Sequence, residues 1–206
     1  AFDDPEALEK ARRMLAEMIL RDRNRASIAL WSVGNETPEG EARNAFMAQL
    51  AADVRVLDPT RLVTAALMTG RENRDGTPVK FMSDPLARSL DVMAINTYDG
   101  WYGGDSLDNL PRIEWDVPQD KPLLFSEFGA GAKAGRHEPD QPTKFSEEYQ
   151  ADYYRRLVEA WRALVDIRDS GRARSIGVSN FGIEHIERIA DATGVLPVLN
   201  QIELHP

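Results

Sequence analysis

Apolar residues at the start of the chain follow first a helical and then a strand-like pattern. Asp4 and Pro5 predict a helix start, because an Asp side chain can cap free backbone amides and Pro fits the first helical position. The apolar residues from Leu8 to Ile19 then recur at helical spacing. The following short apolar run, 28–33, is typical of a strand that is covered on both faces. The sequence therefore predicts a helix that leads into a buried strand.

The same alternation continues to the end of the chain. Further helices are predicted near 40–56, 145–169 and 183–192, and further strands at 62–67, 91–96, 122–127, 175–179 and 198–202. Ser146 is the predicted cap of the longest helix. Repeated strand and helix units imply right-handed crossovers and a parallel sheet. The predicted class is therefore α/β, with a closed barrel or an open doubly wound sheet as the two candidates.

We favour a parallel (β/α) barrel of the TIM type. The polar residues that could carry chemistry fall at the carboxyl ends of several strands, which is where barrel enzymes build their sites. The pattern gives about six strands, whereas this barrel needs eight. We therefore expect an incomplete barrel, forming one barrel-like domain over residues 1–206. Its unpaired edges are a predicted route to a homo-oligomer.

Composition narrows the classes of partner and cofactor. The formal net charge of −9 disfavours nucleic acid and anionic lipid as partners. The sequence has no Cys, which excludes disulfides and thiolate metal sites, and its three His are scattered. We therefore predict no metal and no cofactor.

The sequence gives little on localisation. No apolar run approaches the roughly 20 residues of a membrane-spanning helix, so we expect a soluble protein. The first residues lack the basic start and apolar middle of a secretory signal, although the chain begins without Met and upstream sequence could have carried one. The location stays open, with the cytoplasm favoured.

Two strand-end glutamates are the candidate catalytic residues. Glu36 follows the first predicted strand and Glu127 ends the fourth. Retaining glycoside hydrolysis needs two carboxyl groups about 5–5.5 Å apart, one to protonate the leaving oxygen and one to attack the anomeric carbon. Glu36 is the predicted acid/base and Glu127 the predicted nucleophile. If both are ordinary polar residues that close strands, the pair has no chemical role.

Polar and aromatic neighbours complete the predicted site. Asn35 could donate a hydrogen bond to a sugar hydroxyl, and Tyr98 could hydrogen-bond the nucleophile. Trp101 and Tyr102 offer flat apolar faces to a sugar ring, although aromatic residues after a strand equally often pack in the core. We therefore predict a carbohydrate substrate.

At these positions the chain resembles the glycoside hydrolase family 2 barrels, which include β-glucuronidases and β-galactosidases. The segments that carry the resemblance are Arg21 to Glu36 (RDRNRASIALWSVGNE), Asn96 to Tyr102 (NTYDGWY), Phe125 to Ala130 (FSEFGA) and Phe145 to Gln150 (FSEEYQ). Several motifs in the right order make the match specific. It implies that Glu36 is the acid/base, that Glu127 is the nucleophile and that Asn96 contacts the substrate. The resemblance covers about residues 5–155 and is nearest to the β-glucuronidase branch.

The last quarter of the chain resembles a different family, the aldo-keto reductases of the diketogluconate reductase type. The segments are Gly171 to Phe181 (GRARSIGVSNF) and Leu199 to Pro206 (LNQIELHP). This resemblance implies that Ser179, Asn180 and Gln201 are vestigial nicotinamide-binding residues. The reductase's catalytic residues have no counterpart here, so we expect no hydride transfer. We predict a chimera, with residues 1–158 of family 2 type and 159–206 of reductase type.

Three functions follow from this sequence. The first is a retaining β-glycosidase barrel fragment that acts on β-glucuronides or β-galactosides through Glu36 and Glu127. The second is a catalytically silent chimeric barrel that oligomerises through its open edges. The third is a remnant of an NADPH-dependent reductase.

Overall fold

The computed structural model describes residues 2–102, 106–117, 121–169, 178–179, 183–197 and 200–201. The chain forms two compact units. The first consists of Ala1–Met68 and Met82–Ile95, and the second of Thr69–Phe81 and Asn96–Pro206. The predicted division at residues 158 and 159 stays a prediction.

The first unit begins with the predicted helix and strand. Helix α1 covers Pro5–Asp22, and the Asp4 carboxylate accepts a hydrogen bond of 2.9 Å from the Glu6 amide. Strand β1 covers Leu30–Asn35, two residues later than predicted. The reason is that Ile28 closes a turn, in which its amide donates to the Arg25 carbonyl at 3.2 Å, and its own carbonyl oxygen accepts a hydrogen bond of 2.7 Å from the Arg61 guanidinium group.

Three parallel strands form the core of the first unit. Helix α2 (Glu41–Leu57) follows β1 and leads to strand β2 (Leu62–Leu67). The third strand, β5, covers Val92–Asn96 and is numbered by its place in the chain; its residues up to Ile95 belong to this unit. Strand β2 pairs with both β1 and β5. Both β2 and β5 are buried along almost their whole length, which explains their continuous apolar sequences. The prediction of a parallel α/β sheet is therefore confirmed.

Asp58 fixes the turn between α2 and β2. Its carboxylate accepts hydrogen bonds from the Thr60 hydroxyl at 2.5 Å, the Trp31 indole at 2.8 Å and the Arg61 guanidinium group at 2.7 Å. These bonds, the one from Thr60 foremost, hold the pKa of Asp58 well below its ordinary value. The turn is thus closed on itself through Thr60 and Arg61 and tied to β1 through Trp31.

A hairpin that the sequence analysis missed opens the second unit. Strands β3 (Gly70–Arg74) and β4 (Thr77–Phe81) pair antiparallel, and strand β6 (Glu114–Asp116) pairs parallel with β4. Asp75 and Gly76 form the turn with φ angles of 52° and 86°. Both lie in the left-handed region that a two-residue hairpin loop requires. The strands β3 and β6 are mostly charged, so they show no apolar pattern.

Short 3-10 helices cover Pro85–Ser89 in the first unit and Leu107–Arg112 in the second, and neither was predicted. In both, a side chain just before the helix accepts a hydrogen bond from the backbone amide two residues later: Asp84 from Leu86, and Ser106 from Asp108. These caps hold the chain in a single tight turn between strands.

A long helix packs on the core of the second unit. Strand β7 covers Leu123–Glu127 and helix α3 covers Glu147–Asp169, with the predicted Ser146 cap accepting from the Tyr149 amide at 3.1 Å. Tyr153 is fully buried, and burial raises the pKa of its hydroxyl group. That hydroxyl accepts a hydrogen bond of 3.2 Å from the Gly129 amide, close to the end of β7.

The described part of the chain ends with a short strand, a helix and another strand. They are β8 (Val178–Ser179), α4 (Ile183–Thr193) and β9 (Asn200–Gln201), and β8 pairs parallel with β9. The other residues of the predicted strands 175–179 and 198–202 lie outside the described residues. Within the described residues, no helix combines the length and the apolar character needed to cross a bilayer.

Candidate active site

The carboxyl end of β1 carries Asn35 and Glu36 in the first unit. The pairing of β1 with β2 shifts register between Ser32 and Asn35, and such bulges redirect side chains and occur often beside active sites. Glu36 has a φ of 48° and donates its amide hydrogen to the Ala66 carbonyl at 2.9 Å. A left-handed conformation costs a residue other than Gly about 1–2 kcal/mol, so the fold imposes it. Both Asn35 and Glu36 are exposed.

The carboxyl end of β7 carries Glu127 in the second unit. The Glu127 side chain is half-buried, and its Oε2 accepts a hydrogen bond of 2.7 Å from the Tyr98 hydroxyl. Its carbonyl oxygen accepts another of 2.8 Å from the Thr97 amide. Backbone and side chain are therefore both held by the segment that follows β5.

Asn96, which ends β5, and Ser126, in β7, form a further contact between these two strands. They lie one residue before Thr97 and Glu127. Both residues are buried, and the Ser126 hydroxyl donates to Asn96 Oδ1 at 2.7 Å. Ser126 was not among the predicted site residues. Its signal was a polar residue inside an otherwise apolar run, since a buried hydroxyl needs a hydrogen-bond partner.

Residues 98–102 form a tight aromatic loop. The Trp101 and Tyr102 amides donate to the Tyr98 carbonyl at 2.8 and 3.0 Å. Gly100 permits this turn with a φ of 81°, and a Cβ atom there would lie 2.5 Å from Leu107 Cδ2. The Tyr98 and Tyr102 rings meet edge to face with centroids 5.0 Å apart.

The two aromatic residues that were predicted to contact sugar lie in different environments. Trp101 is 9% exposed and belongs to the core of the second unit with Leu107, Leu110, Ala130 and Tyr153. Tyr102 is 65% exposed. Lys144, which the sequence analysis missed, donates to the Trp101 carbonyl and lies 5.8 Å from the centre of the Trp101 ring. Tyr102 thus presents the accessible ring, whereas Trp101 supports the loop.

A buried charged cluster lies beside the aromatic loop and was also missed. The carboxylate of Asp99, which is 3% exposed, pairs with Lys80 at 2.6 Å and also with Arg71. The Thr97 hydroxyl donates to Asp99 and accepts from Lys80 at 2.9 Å. Charged side chains spread over separate segments leave no pattern in a sequence, so there was no signal for this cluster.

The second unit therefore brings Asn96, Tyr98, Trp101, Tyr102 and Glu127 together at the ends of β5 and β7. Asn35 and Glu36 lie at the end of β1, in the first unit. Ser179 and Gln201 are register partners in β8 and β9, and Asn180 lies outside the described residues. Within the described ranges, no three His, Asp or Glu side chains are grouped so that they could hold a metal ion.

Comparisons with known proteins identify the family. The family model "Glycosyl hydrolases family 2, TIM barrel domain" matches residues 1–182. The β-glucuronidase of Rattus norvegicus is 32% identical over 162 residues, which cover 74% of this chain and 22% of that protein. The structure of a β-D-glucuronidase from Dictyoglomus thermophilum superposes with a TM-score of 0.62 and 28% identity, covering 78% of this chain and 27% of that one. The structure of a β-galacturonidase from Eisenbergiella tayi bound to galacturonate superposes with a TM-score of 0.58 and 27% identity. The match covers 78% of this chain and 27% of that one.

Fold and family match together define a barrel of the glycoside hydrolase class. The chain belongs to glycosyl hydrolase family 2 and represents its TIM barrel domain. The prediction of an incomplete parallel (β/α) barrel is thereby confirmed. The chain spans about a quarter of the length of these relatives. The family match crosses the predicted join near residue 158 and continues to residue 182, and none of these findings points to an aldo-keto reductase.

Proposed function

We propose that this chain carries the catalytic carboxyl groups of a retaining β-glycosidase, with Glu127 as nucleophile and Glu36 as acid/base. The observation that supports it most is the Tyr98 hydroxyl 2.7 Å from Glu127 Oε2. A nucleophilic carboxylate has to point at the anomeric carbon, and a hydrogen bond to its oxygen holds it in one orientation.

The environment of Glu36 suits the second role. An acid/base has to exchange protons with the leaving group and then with water, so it must be accessible. Glu36 is exposed, and its left-handed backbone is imposed by the fold at the end of a strand. Strain of this kind often marks functional positions.

We propose a β-linked uronic acid as the sugar to test first, with a β-galactoside as the alternative. The relatives support this choice, because two are named β-glucuronidases and the third is a β-galacturonidase bound to galacturonate. Tyr102, with its exposed ring, is the proposed platform for the apolar side of the sugar. Asn35 and Asn96 are the proposed partners of its hydroxyl groups.

Two aryl β-glucuronides distinguish the roles of the two glutamates. With Glu127→Gln we expect kcat to fall roughly 10³-fold or more on both substrates, because the covalent intermediate cannot form. With Glu36→Gln we expect a much smaller loss of kcat/KM when the phenol is strongly acidic, because kcat/KM reports the first step and that leaving group needs no proton. Equal rates for wild type and Glu127→Gln would reject the assignment, as would a Glu36→Gln loss that is independent of the leaving group.

A silent, self-associating barrel is the second candidate. Among the described residues, β1 pairs with β2 and has no strand on its other side. An unpaired strand edge can bind the same edge of a second copy. This proposal requires no chemistry from Glu36 or Glu127.

The reductase origin of residues 159–206 stays a prediction. The register of β8 and β9 places Ser179 opposite Gln201, a pairing that any two neighbouring parallel strands of a barrel would share. Tight binding of NADPH, followed by its fluorescence, would support this origin. A Ser179→Ala variant that binds NADPH as wild type does would remove the proposed role of Ser179.

A further inference from the structure

The hairpin of β3 and β4 is connected to the loop that holds Glu127 through Asp99. Asp99 follows Tyr98 directly and its side chain is almost completely buried. Lys80 from β4 and Arg71 from β3 both pair with its carboxylate. A buried carboxylate is stable only when it is paired and hydrogen-bonded, so the loop cannot leave the hairpin without a large penalty.

Thr97 closes this cluster on the other side of Tyr98. Its hydroxyl bonds Lys80 and Asp99, while its amide donates to the Glu127 carbonyl at 2.8 Å. Tyr98, which donates to the Glu127 carboxylate, is therefore held between two residues that are fixed to the hairpin. A shift of the cluster would move both hydrogen bonds to Glu127.

A second route connects the hairpin to Glu127 through aromatic packing. Lys80 Nζ lies 5.5 Å from the centre of the Trp115 ring. Trp115, in β6, meets Phe125 of β7 edge to face with centroids 4.9 Å apart. Phe125 lies two residues before Glu127 in the same strand. Lys80 thus takes part in both connections to Glu127, the one through Asp99 and the loop and the one through Trp115 and β7.

We propose that Asp99, through Lys80 and Arg71, is a positioning residue that fixes Tyr98 and thereby the orientation of the Glu127 carboxylate. This proposal rests on the proposed function, since Glu127 has to be the nucleophile for its orientation to matter. Asp99 touches no reacting atom in this scheme. Its effect is on the geometry of attack, where a displacement of about 1 Å can cost roughly 100-fold in rate.

The test compares Asp99→Asn and Lys80→Met with Asp116→Asn in the full chain. Asp99→Asn keeps an acceptor for Thr97 but loses the charge, and Lys80→Met keeps an apolar stem on Trp115. Asp116→Asn is the matched control, because it removes an exposed ion pair of 2.7 Å with Arg74 of the same hairpin. We expect the first two to lower kcat about 10- to 100-fold with KM changed less than about threefold, and the control to match wild type.

Amide hydrogen exchange provides a readout that does not depend on activity. In Asp99→Asn we expect faster exchange at Thr97, Trp101 and Tyr102, and in Asp116→Asn exchange at the wild-type rate. If Asp99→Asn does not fold, Arg71→Gln replaces it, because the Arg71 side chain is 43% exposed.

Either of two results would overturn the inference. One is a kcat of Asp99→Asn that equals that of the wild type, provided that Glu127→Gln is inactive. The other is unchanged exchange of the loop amides. If Glu127→Gln is as active as wild type, the proposed function fails, and the exchange rates alone decide whether Asp99 holds the loop.

Discussion

Tyr98 is the residue whose side chain hydrogen-bonds the Glu127 carboxylate, so the proposed chemistry depends on it directly. Its backbone carbonyl accepts two hydrogen bonds from the aromatic loop, and its hydroxyl donates to the carboxylate. The loop therefore determines where the phenol lies, and the phenol determines which Glu127 oxygen is engaged.

Replacing Tyr98 by Phe removes this hydrogen bond and keeps the ring. We expect kcat to fall roughly 10- to 100-fold, because an oriented donor to a reacting oxygen contributes a few kcal/mol. Steady-state hydrolysis of an aryl β-glucuronide measures the loss. Tyr154→Phe is the control, because it also removes a hydroxyl group, but from a residue of α3 outside the proposed site, and an equal loss in both variants would contradict the role of Tyr98.

Single residues also show how far the sequence could lead. The hydrogen bond between Tyr98 and Glu127 was predicted because both residues follow apolar runs and belong to recognisable motifs. The pairing of Asp99 with Lys80 was not, since it depends on how a hairpin folds back on a later loop. The burial of Trp101 was equally unpredictable, because an aromatic residue after a strand suits the core and a sugar equally well.

At the scale of elements, apolar periodicity was a good guide where burial is continuous. Strand β2 lies at its predicted residues, and β5 and β7 each begin one residue late. Periodicity failed for β3, whose residues are mostly exposed and charged. The Asp75-Gly76 pair was the available signal there, because Asp-Gly is a typical two-residue hairpin turn.

The hairpin turn can be tested by Gly76→Ala. Gly76 has a φ of 86° and open space where a Cβ would lie, so the expected cost of about 1–2 kcal/mol is backbone strain alone. Gly40→Ala is the matched control, since Gly40 has equally open space but an extended φ of 168°. Chemical denaturation of both variants measures the difference. A loss as large in Gly40→Ala would show that the turn conformation is not the cause.

At the scale of the whole molecule, the chain spans about a quarter of the length of the relatives that it matches. Among the described residues, β1 has a neighbour on one side only, with Ser32 and Asn35 of this strand exposed. A backbone edge of this kind offers donors and acceptors to another strand.

We expect the chain on its own to associate through this edge. Sedimentation at increasing protein concentration should then show a rising average mass. Ser32→Pro removes one donor from β1 and should reduce the association, whereas Val56→Lys, at an exposed position of α2, should not. A constant monomer mass at all concentrations would reject this association.

The bend at Gly100 has a practical consequence for engineering the proposed sugar contact. The φ of 81° is strained for any residue with a side chain, and a Cβ there would lie 2.5 Å from Leu107 Cδ2, so a substitution at this bend strains the backbone and forces the Leu107 side chain to shift. Diversity is therefore best introduced at Tyr102, which faces solvent. A randomised library that includes Gly100 would add this backbone strain, about 1–2 kcal/mol, to nearly every member that changes the position.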